Sequence, residues 1–540
     1  MEEDSHPSCS TSIKNRGTKY VFTERVVSAL DKCKISDRSA MHIVTAVAEA
    51  LGHNTNELII NRTSLQRQRH LNRLKKSENN KENLKIHCGT LHWDGKLLPE
   101  ITGREKVERL PVVVTDRNGE HLIGAPKLYA ATGSEIADTL YELIFEWDLK
   151  DHIVACCFDT TSTNTGVIKG AATLLEKKLE RKLLYLPCRH HIYEILLRGV
   201  FECYFPVNTS KDVQLFRRFQ ENWENIDKNN FKDLLQNNEL NLRLNDNVDT
   251  ILNFCKEEMK KKIVRDDYRE LLELTSICLG ANNGVKFRVP GPTHHARWMA
   301  KALYCLKIYL FREQFKLTEY EENSLASICA FIIRFYVKLW FNCTNPSKAP
   351  LQDLSFIKEI HEYRNVNKII SEIAIKKFCK HLWYLSEECI ALTLFDDDVS
   401  YAMKQNIVEK IKNIDNCDKE TENVKRVHVR SSEINEFIRK ELHDFVTANT
   451  IDFFGRFGIS PQFLQVDPLY WKDTETYQKA KDIVINIKVV NDTAERGVKL
   501  MEEYNRILTN DEQEKQYLLQ VVTDYKKQFD SHNKSSLIRS

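Results

Sequence analysis

Cys156-Cys157-Phe158-Asp159-Thr160-Thr161-Ser162-Thr163-Asn164-Thr165-Gly166 is the stretch on which the reading of this 540-residue chain turns. The apolar run from Ile153 to Phe158 delivers a carboxylate, Asp159, to a tight polar turn, and a helical pattern opens behind Asn164. Strand, acid at its C-terminal end, loop, helix is the order in which open α/β sheets present ligands and metals. A plainer assignment stands beside it, since an aspartate here also serves as an Asx-turn or helix cap.

Outward from that stretch the pattern is regular. On the C-terminal side come a helix over 170–181, a strand over 183–186, Pro187-Cys188-Arg189-His190-His191, and a helix over 192–199. On the N-terminal side, residues 84–93 alternate and end at Asp94-Gly95. Residues 110–115 are β-rich, Arg117-Asn118-Gly119 signals a hairpin turn, and 121–129 form the return strand. Ser134 is then the expected cap of an amphipathic helix carrying Ile136, Leu140, Leu143, Ile144 and Trp147. Three antiparallel-type strands followed by alternating helices and strands predict a mixed sheet covered by helices. With an acid ending the first and fourth strands, this order resembles the ribonuclease H-like fold.

Two carboxylates at the ends of adjacent strands, Asp94 and Asp159, are hard oxygen ligands suited to Mg²⁺ or Mn²⁺. Paired ions of that kind clamp the attacking and leaving oxygens of an in-line phosphoryl displacement. A third acid usually completes such a site, and by position the candidates are Glu495, Glu194 and Asp467. Taken singly, Asp94-Gly95 is also a turn dipeptide.

Five short motifs carry a family resemblance: Trp93-Asp94-Gly95, Cys157 to Asn164, Cys188-Arg189-His190-His191, Arg297-Trp298, and Asn491-Asp492-Thr493-Ala494-Glu495-Arg496. In this order they look like a hAT-type DNA transposase, in which a long helical insertion interrupts a ribonuclease H-like core. The resemblance implies Asp94, Asp159 and Glu495 as catalytic, metal-binding acids. It implies Asn164, Cys188 and His191 as active-site support, and Arg297 and Trp298 as DNA contacts, base stacking being the physical use of the tryptophan. Each has a structural alternative. Glu495 completes a capping-box-like Asp492-x-x-Glu495, and Trp298 suits the core of an amphipathic helix. A lone CxxH without a second ligand pair argues against zinc.

Near the N-terminus two helical patterns precede a basic one. In the second, Ile43, Ala46, Val47 and Ala50 share a face. Between Leu58 and Ser77 six Lys/Arg stand against no acid. This reads either as a helix-turn-helix-like DNA reader or as a solvated basic helix leading into a linker. The first reading puts Arg62, Thr63, Ser64, Gln66, Arg67, Arg69, Arg73, Lys75 and Lys76 on DNA, with Leu65 and Leu71 or Leu74 facing inward.

The expected organisation is a disordered tail (1–18), a helical DNA-binding segment (19–76), a linker (77–83), the first part of the core (84–199), an all-helical insertion (200–470), C-terminal helices completing the core (471–530) and a tail (531–540). Hydrophobic content of 42% and charged content of 29% are those of a globular protein. A net charge of +2 means that any nucleic-acid binding comes from local patches. Fifteen cysteines without CxxC pairs point to reduced thiols. Neither a secretory signal nor a membrane-spanning apolar stretch is expected. The resemblance therefore implies a nuclear, DNA-bound, homo-oligomeric transposase. Its family's N-terminal zinc finger is missing and its C-terminal dimerisation signature is weak, so a domesticated, non-cutting DNA-binding or protein-interaction module is the second reading.

Overall fold

The chain is described by a computed structural model. It covers residues 18–99, 106–206, 213–235, 244, 247–263, 265–281, 284, 286–291, 298–414, 424–504, 509 and 511–529. The expected tails, apart from Thr18, and Arg297 lie outside these residues.

A five-stranded sheet organises the molecule. Its strands are β3 (Gly89–Trp93), β6 (Val112–Asp116), β7 (Gly119–Gly124), β9 (Ile153–Cys157) and β10 (Leu184–Tyr185). They lie in the order β10-β9-β3-β6-β7. The pairs β3–β6 and β6–β7 are antiparallel, whereas β9 runs parallel to both β3 and β10. The β6–β7 turn forms where expected: Asp116 Oδ1 accepts from the backbone N–H of Asn118 and Gly119, and Gly119 takes a positive φ of 136°. That left-handed backbone is the physical use of glycine here.

Ile153, Ala155, Cys156, Cys157 and Phe158 have no solvent exposure, which explains why the central strand reads as an unbroken apolar run rather than an alternation. Helix α4 (Gly133–Glu146) covers one side of this region together with α6 (Ala171–Leu179). Its cap is Thr132, whose side chain accepts from Glu135 N–H, two residues before the expected Ser134. Gly133 is obligatory, because a Cβ there would sit 2.1 Å from the Lys169 carbonyl oxygen. A second sheet, unforeseen from the sequence, joins β4 (Lys96–Pro99), β5 (Lys106–Arg109) and β8 (Lys127–Leu128).

Beyond β10, α7 (Arg189–Tyr204) opens a helical block whose core is continuous with that of the sheet. The run Glu319–Asn342 within it is long and apolar enough to cross a membrane, contrary to the expectation that no such stretch exists. However, 83% of its most apolar window is buried inside the molecule, as in a core helix. The chain then returns through the helices Glu475–Asn486, Asp492–Tyr504 and Glu512–Gln528.

At the N-terminus lie α1 (Glu24–Lys32), α2 (Asp37–Ala50) and α3 (Arg62–Asn83). The expected linker over 77–83 is the last part of the 22-residue α3, held by the buried Ser77 and by Asn80 donating to Asp524 at 2.9 Å. The C-terminal helix packs on both α1 and α3, which makes the N-terminal unit part of the body of the molecule. Helix α2 buries Ala40 and Ala48 instead of the expected face, leaving Ile43 and Val47 exposed. Its first residue, Asp37, is tied to Arg69 of α3, and this anchor sets the helix rotation.

Candidate active site at the strand ends

The parallel pairing of β3 with β9 sets Leu91 beside Cys156 and His92 beside Cys157. The next pair, Trp93 and Phe158, stack their rings at 4.9 Å. Asp94 directly follows β3 and Asp159 follows Phe158 just beyond β9, at the same end of two parallel neighbours. The two predicted acids therefore leave the sheet at one edge.

Asn164 joins the two strand ends. Its side-chain oxygen accepts from the Trp93 indole N–H at 3.0 Å, and its amide donates to the Asp159 carboxylate. Thr161 adds donors from its backbone N–H at 3.3 Å and its hydroxyl at 2.7 Å. The three bonds to the Asp159 side chain all fall on Oδ1, so the loop fixes the carboxylate, and among the described residues no hydrogen bond falls on Oδ2. The Asx-turn and ligand readings of Asp159 are thus compatible.

The chain returns to the same place some 300 residues later. Cys188 N–H donates to the Phe158 carbonyl at 2.8 Å, and Asn491 N–H donates to Cys188 Sγ at 3.2 Å. The Asn491 amide donates to the Trp93 carbonyl at 2.7 Å. These contacts start the helix Asp492–Tyr504 at the ends of β3 and β9. Gly497 in it would drive a Cβ to 2.9 Å from Pro111, which precedes β6, so glycine permits this close crossing. Glu495, one turn in, faces a cleft of about 1240 Å³ between this helix and the helical block. Its Oε2 lies 3.5 Å from Arg265 Nη1.

The donor chemistry of Asp94 and Asp159 fits a hard divalent cation. As arranged, the third acid does not join them: among the described residues no three His, Cys, Asp or Glu side chains form a metal-binding group. The other two candidates sit elsewhere. Asp467 caps a short surface 3₁₀ helix by accepting from Leu469 N–H, and Glu194 lies within α7.

Burial pushes the Cys188 thiol up to about 12, so it is a neutral hydrogen-bond partner rather than a thiolate ligand. The adjacent His190, overlooked in the sequence, is the more engaged histidine of that motif. Its ring stacks on Trp340 at 3.9 Å, with Nδ1 3.2 Å from Asp492 Oδ1. Burial favours the neutral ring, but Cys343 and Asp492 outweigh it and push His190 up to about 10. A histidine next to an arginine at the start of a helix, with an aspartate three residues before Glu495, was the available signal. His92 behaves oppositely: burial pulls it down to about 3, and it shares a hydrogen bond with Thr115 at 2.9 Å.

Trp298 lies half-buried against Phe201 at 5.8 Å, with Lys301 over its ring. Phe201 is twelve residues along α7 from Arg189, about 18 Å from the strand ends at the helical rise. Trp298 packs at the margin of the core rather than within it.

The basic helix α3 is also largely committed. Arg69 and Arg73 converge on Asp31, with Arg73 Nε and Nη2 each 2.9 Å from its carboxylate. Arg73 reaches Glu514 of the C-terminal helix at 3.0 Å. Gln66 donates to Asp37 and Lys75 pairs with Glu24. Arg62 lies 3.7 Å from Asp37. Leu65 is buried, Leu74 half-buried and Leu71 exposed. Arg67 and Thr63 face solvent, with Ser64 and Lys76 half-exposed.

No protein-family model matches this chain, and no curated protein matches it.

Proposed function

We propose that the chain is a hAT-like DNA transposase, or a protein derived from one, built on a ribonuclease H-like core. The observation that carries this reading is the side-by-side emergence of Asp94 and Asp159 from parallel neighbours β3 and β9. The helix bearing Glu495 returns to the same edge after a long helical block.

In this reading the substrate is a DNA phosphodiester, and bound Mg²⁺ or Mn²⁺ would polarise it and activate water. Asp94 and Asp159 would hold the cation. Asn164 and Thr161 aim the Asp159 carboxylate and prevent its rotation, and Trp93 in turn fixes Asn164. His190 anchors Asp492, and Asn491 ties the helix start to Trp93, so both set where Glu495 begins. Hydrolysis would free a 3′-hydroxyl, which then attacks a second strand. The working protein is a nuclear homo-oligomer.

A second reading, a non-cutting DNA-binding or protein-interaction module, is favoured by one observation: Glu495 pairs with Arg265 rather than converging on the other acids. The two separate in one experiment. Purified protein is incubated with Mn²⁺ and DNA carrying the repeats that flank its own gene. Nicking that disappears in Asp159→Asn supports the transposase. DNA binding without nicking, unchanged in Asp159→Asn, leaves the binding module.

A further inference from the structure

We infer that Arg265, a residue of the helical block, is the positioning residue that holds Glu495 on the cleft side, away from Asp94 and Asp159. This rests on the reading of those acids as a metal site.

Arg265 precedes the helix Asp266–Cys278 and reaches the helix Asp492–Tyr504 across the cleft. Its guanidinium makes a two-pronged contact with Asp267, Nε to Oδ1 at 2.9 Å and Nη2 to Oδ2 at 2.6 Å. It also lies over the Tyr268 ring at 5.0 Å. The third edge, Nη1, is 3.5 Å from Glu495 Oε2. Of these charged contacts the one to Glu495 is the longest, beyond good hydrogen-bond length, and both side chains are about one-third exposed, at 39% and 30%.

Two consequences follow. Breaking the Glu495 contact leaves Arg265 still neutralised by Asp267 and supported by Tyr268, so release does not strand a charge. Glu495 stands one turn beyond Asn491, whose amide touches the Trp93 carbonyl, so its helix begins at the strand ends and its side chain is the part that the Arg265 contact restrains. Tyr268 also packs edge-on against His190 at 6.0 Å and Trp340 at 5.6 Å. Through these contacts the helical block holds Glu495 and the neighbouring Asp492 by one connected cluster. Cation binding at the strand ends and the Arg265–Glu495 pair compete for one carboxylate.

Mn²⁺ titration of the full chain, reading free Mn²⁺ by electron paramagnetic resonance, tests this in a double-mutant cycle. Arg265→Ala is expected to tighten Mn²⁺ binding about fivefold, the worth of a partly exposed ion pair. In the Glu495→Ala background the same substitution is expected to change little. Equal tightening in both backgrounds would mean simple removal of a positive charge, and it overturns the inference, as does no tightening in either. Mn²⁺ binding that persists in Asp159→Asn places the ion elsewhere, which defeats the metal-site reading and the inference with it. Arg265→Gln, with its melting curve, separates these outcomes from misfolding.

Discussion

Helix α3 and the ends of β3 and β9 both carry charged residues that the sequence offers for function, and the fold uses them in opposite ways. At the strand ends, the donors that fix Asp159 come from within five residues and occupy one oxygen of the carboxylate. On α3, Arg69 and Arg73 are each 3% exposed and meet Asp31, itself fully buried, from about forty residues away. A charge held by its own loop keeps a face for a ligand. A charge whose counter-ion comes from another element is consumed by packing, because a guanidinium leaves water only when its donors are met.

The sharpest way to break this contrast is at Asp31. Asp31→Ala removes the buried carboxylate shared by two guanidinium groups, leaving Arg69 only Asp37 and Arg73 only Glu514 as acidic partners, and is expected to cost about 3 kcal/mol in urea unfolding. A loss below about 1 kcal/mol, the range of exposed pairs, would show that α3 is not held as described.

Next in size is the pH dependence set by His190. Its value is raised above that of an unfolded histidine, near 6.5. The stabilisation is therefore complete below about pH 6.5 and is lost as pH rises through about 10. Stability is expected to fall across this window by at most about 1.4 kcal/mol per pH unit, and His190→Gln is expected to flatten the profile. An unchanged slope in the variant would remove His190 as its source.

At the strand ends, Asn164→Ala leaves the Trp93 indole N–H without its acceptor and is expected to cost about 1–3 kcal/mol by thermal unfolding. Any nicking should fall with it, since Asp159 loses its main side-chain clamp.

The smallest stability effect is expected at Arg67, which faces solvent. Arg67→Gln should change stability by no more than about 0.5 kcal/mol. If α3 binds DNA through this outer face, it should also lower the salt slope of binding by about 1. An unaltered slope would remove α3 as a DNA contact.

Much of the central layout was legible because it depends on local pattern. The apolar run before Asp159, the Arg117-Asn118-Gly119 turn and the alternating helices placed the strands to within a few residues. The second sheet was not legible, since β4 and its partner β5 are strands of only four residues each, and β8 of two, too short to show a period. The end of α3 was misread as a linker because Ser77-Glu78-Asn79-Asn80 has loop composition, and the contacts that keep it helical come from the C-terminal helix. His190 gave only a weak signal, since its partners Trp340 and Asp492 are 150 and 302 residues away.

The sequence by itself determined that acids end two strands of one sheet and that a long helical stretch separates them from Glu495. Hydrophobic period and turn chemistry act within a few residues and can be read along the chain. Only the tertiary structure decided which charges remain available. It brought Asp94 and Asp159 to one edge of the sheet, buried Arg69 and Arg73 against Asp31, set Trp298 against Phe201 and paired Glu495 with Arg265. Counter-ions and desolvation are set by elements distant in sequence, whereas Asp159 is fixed through one oxygen by its own loop, which is why it could be read along the chain.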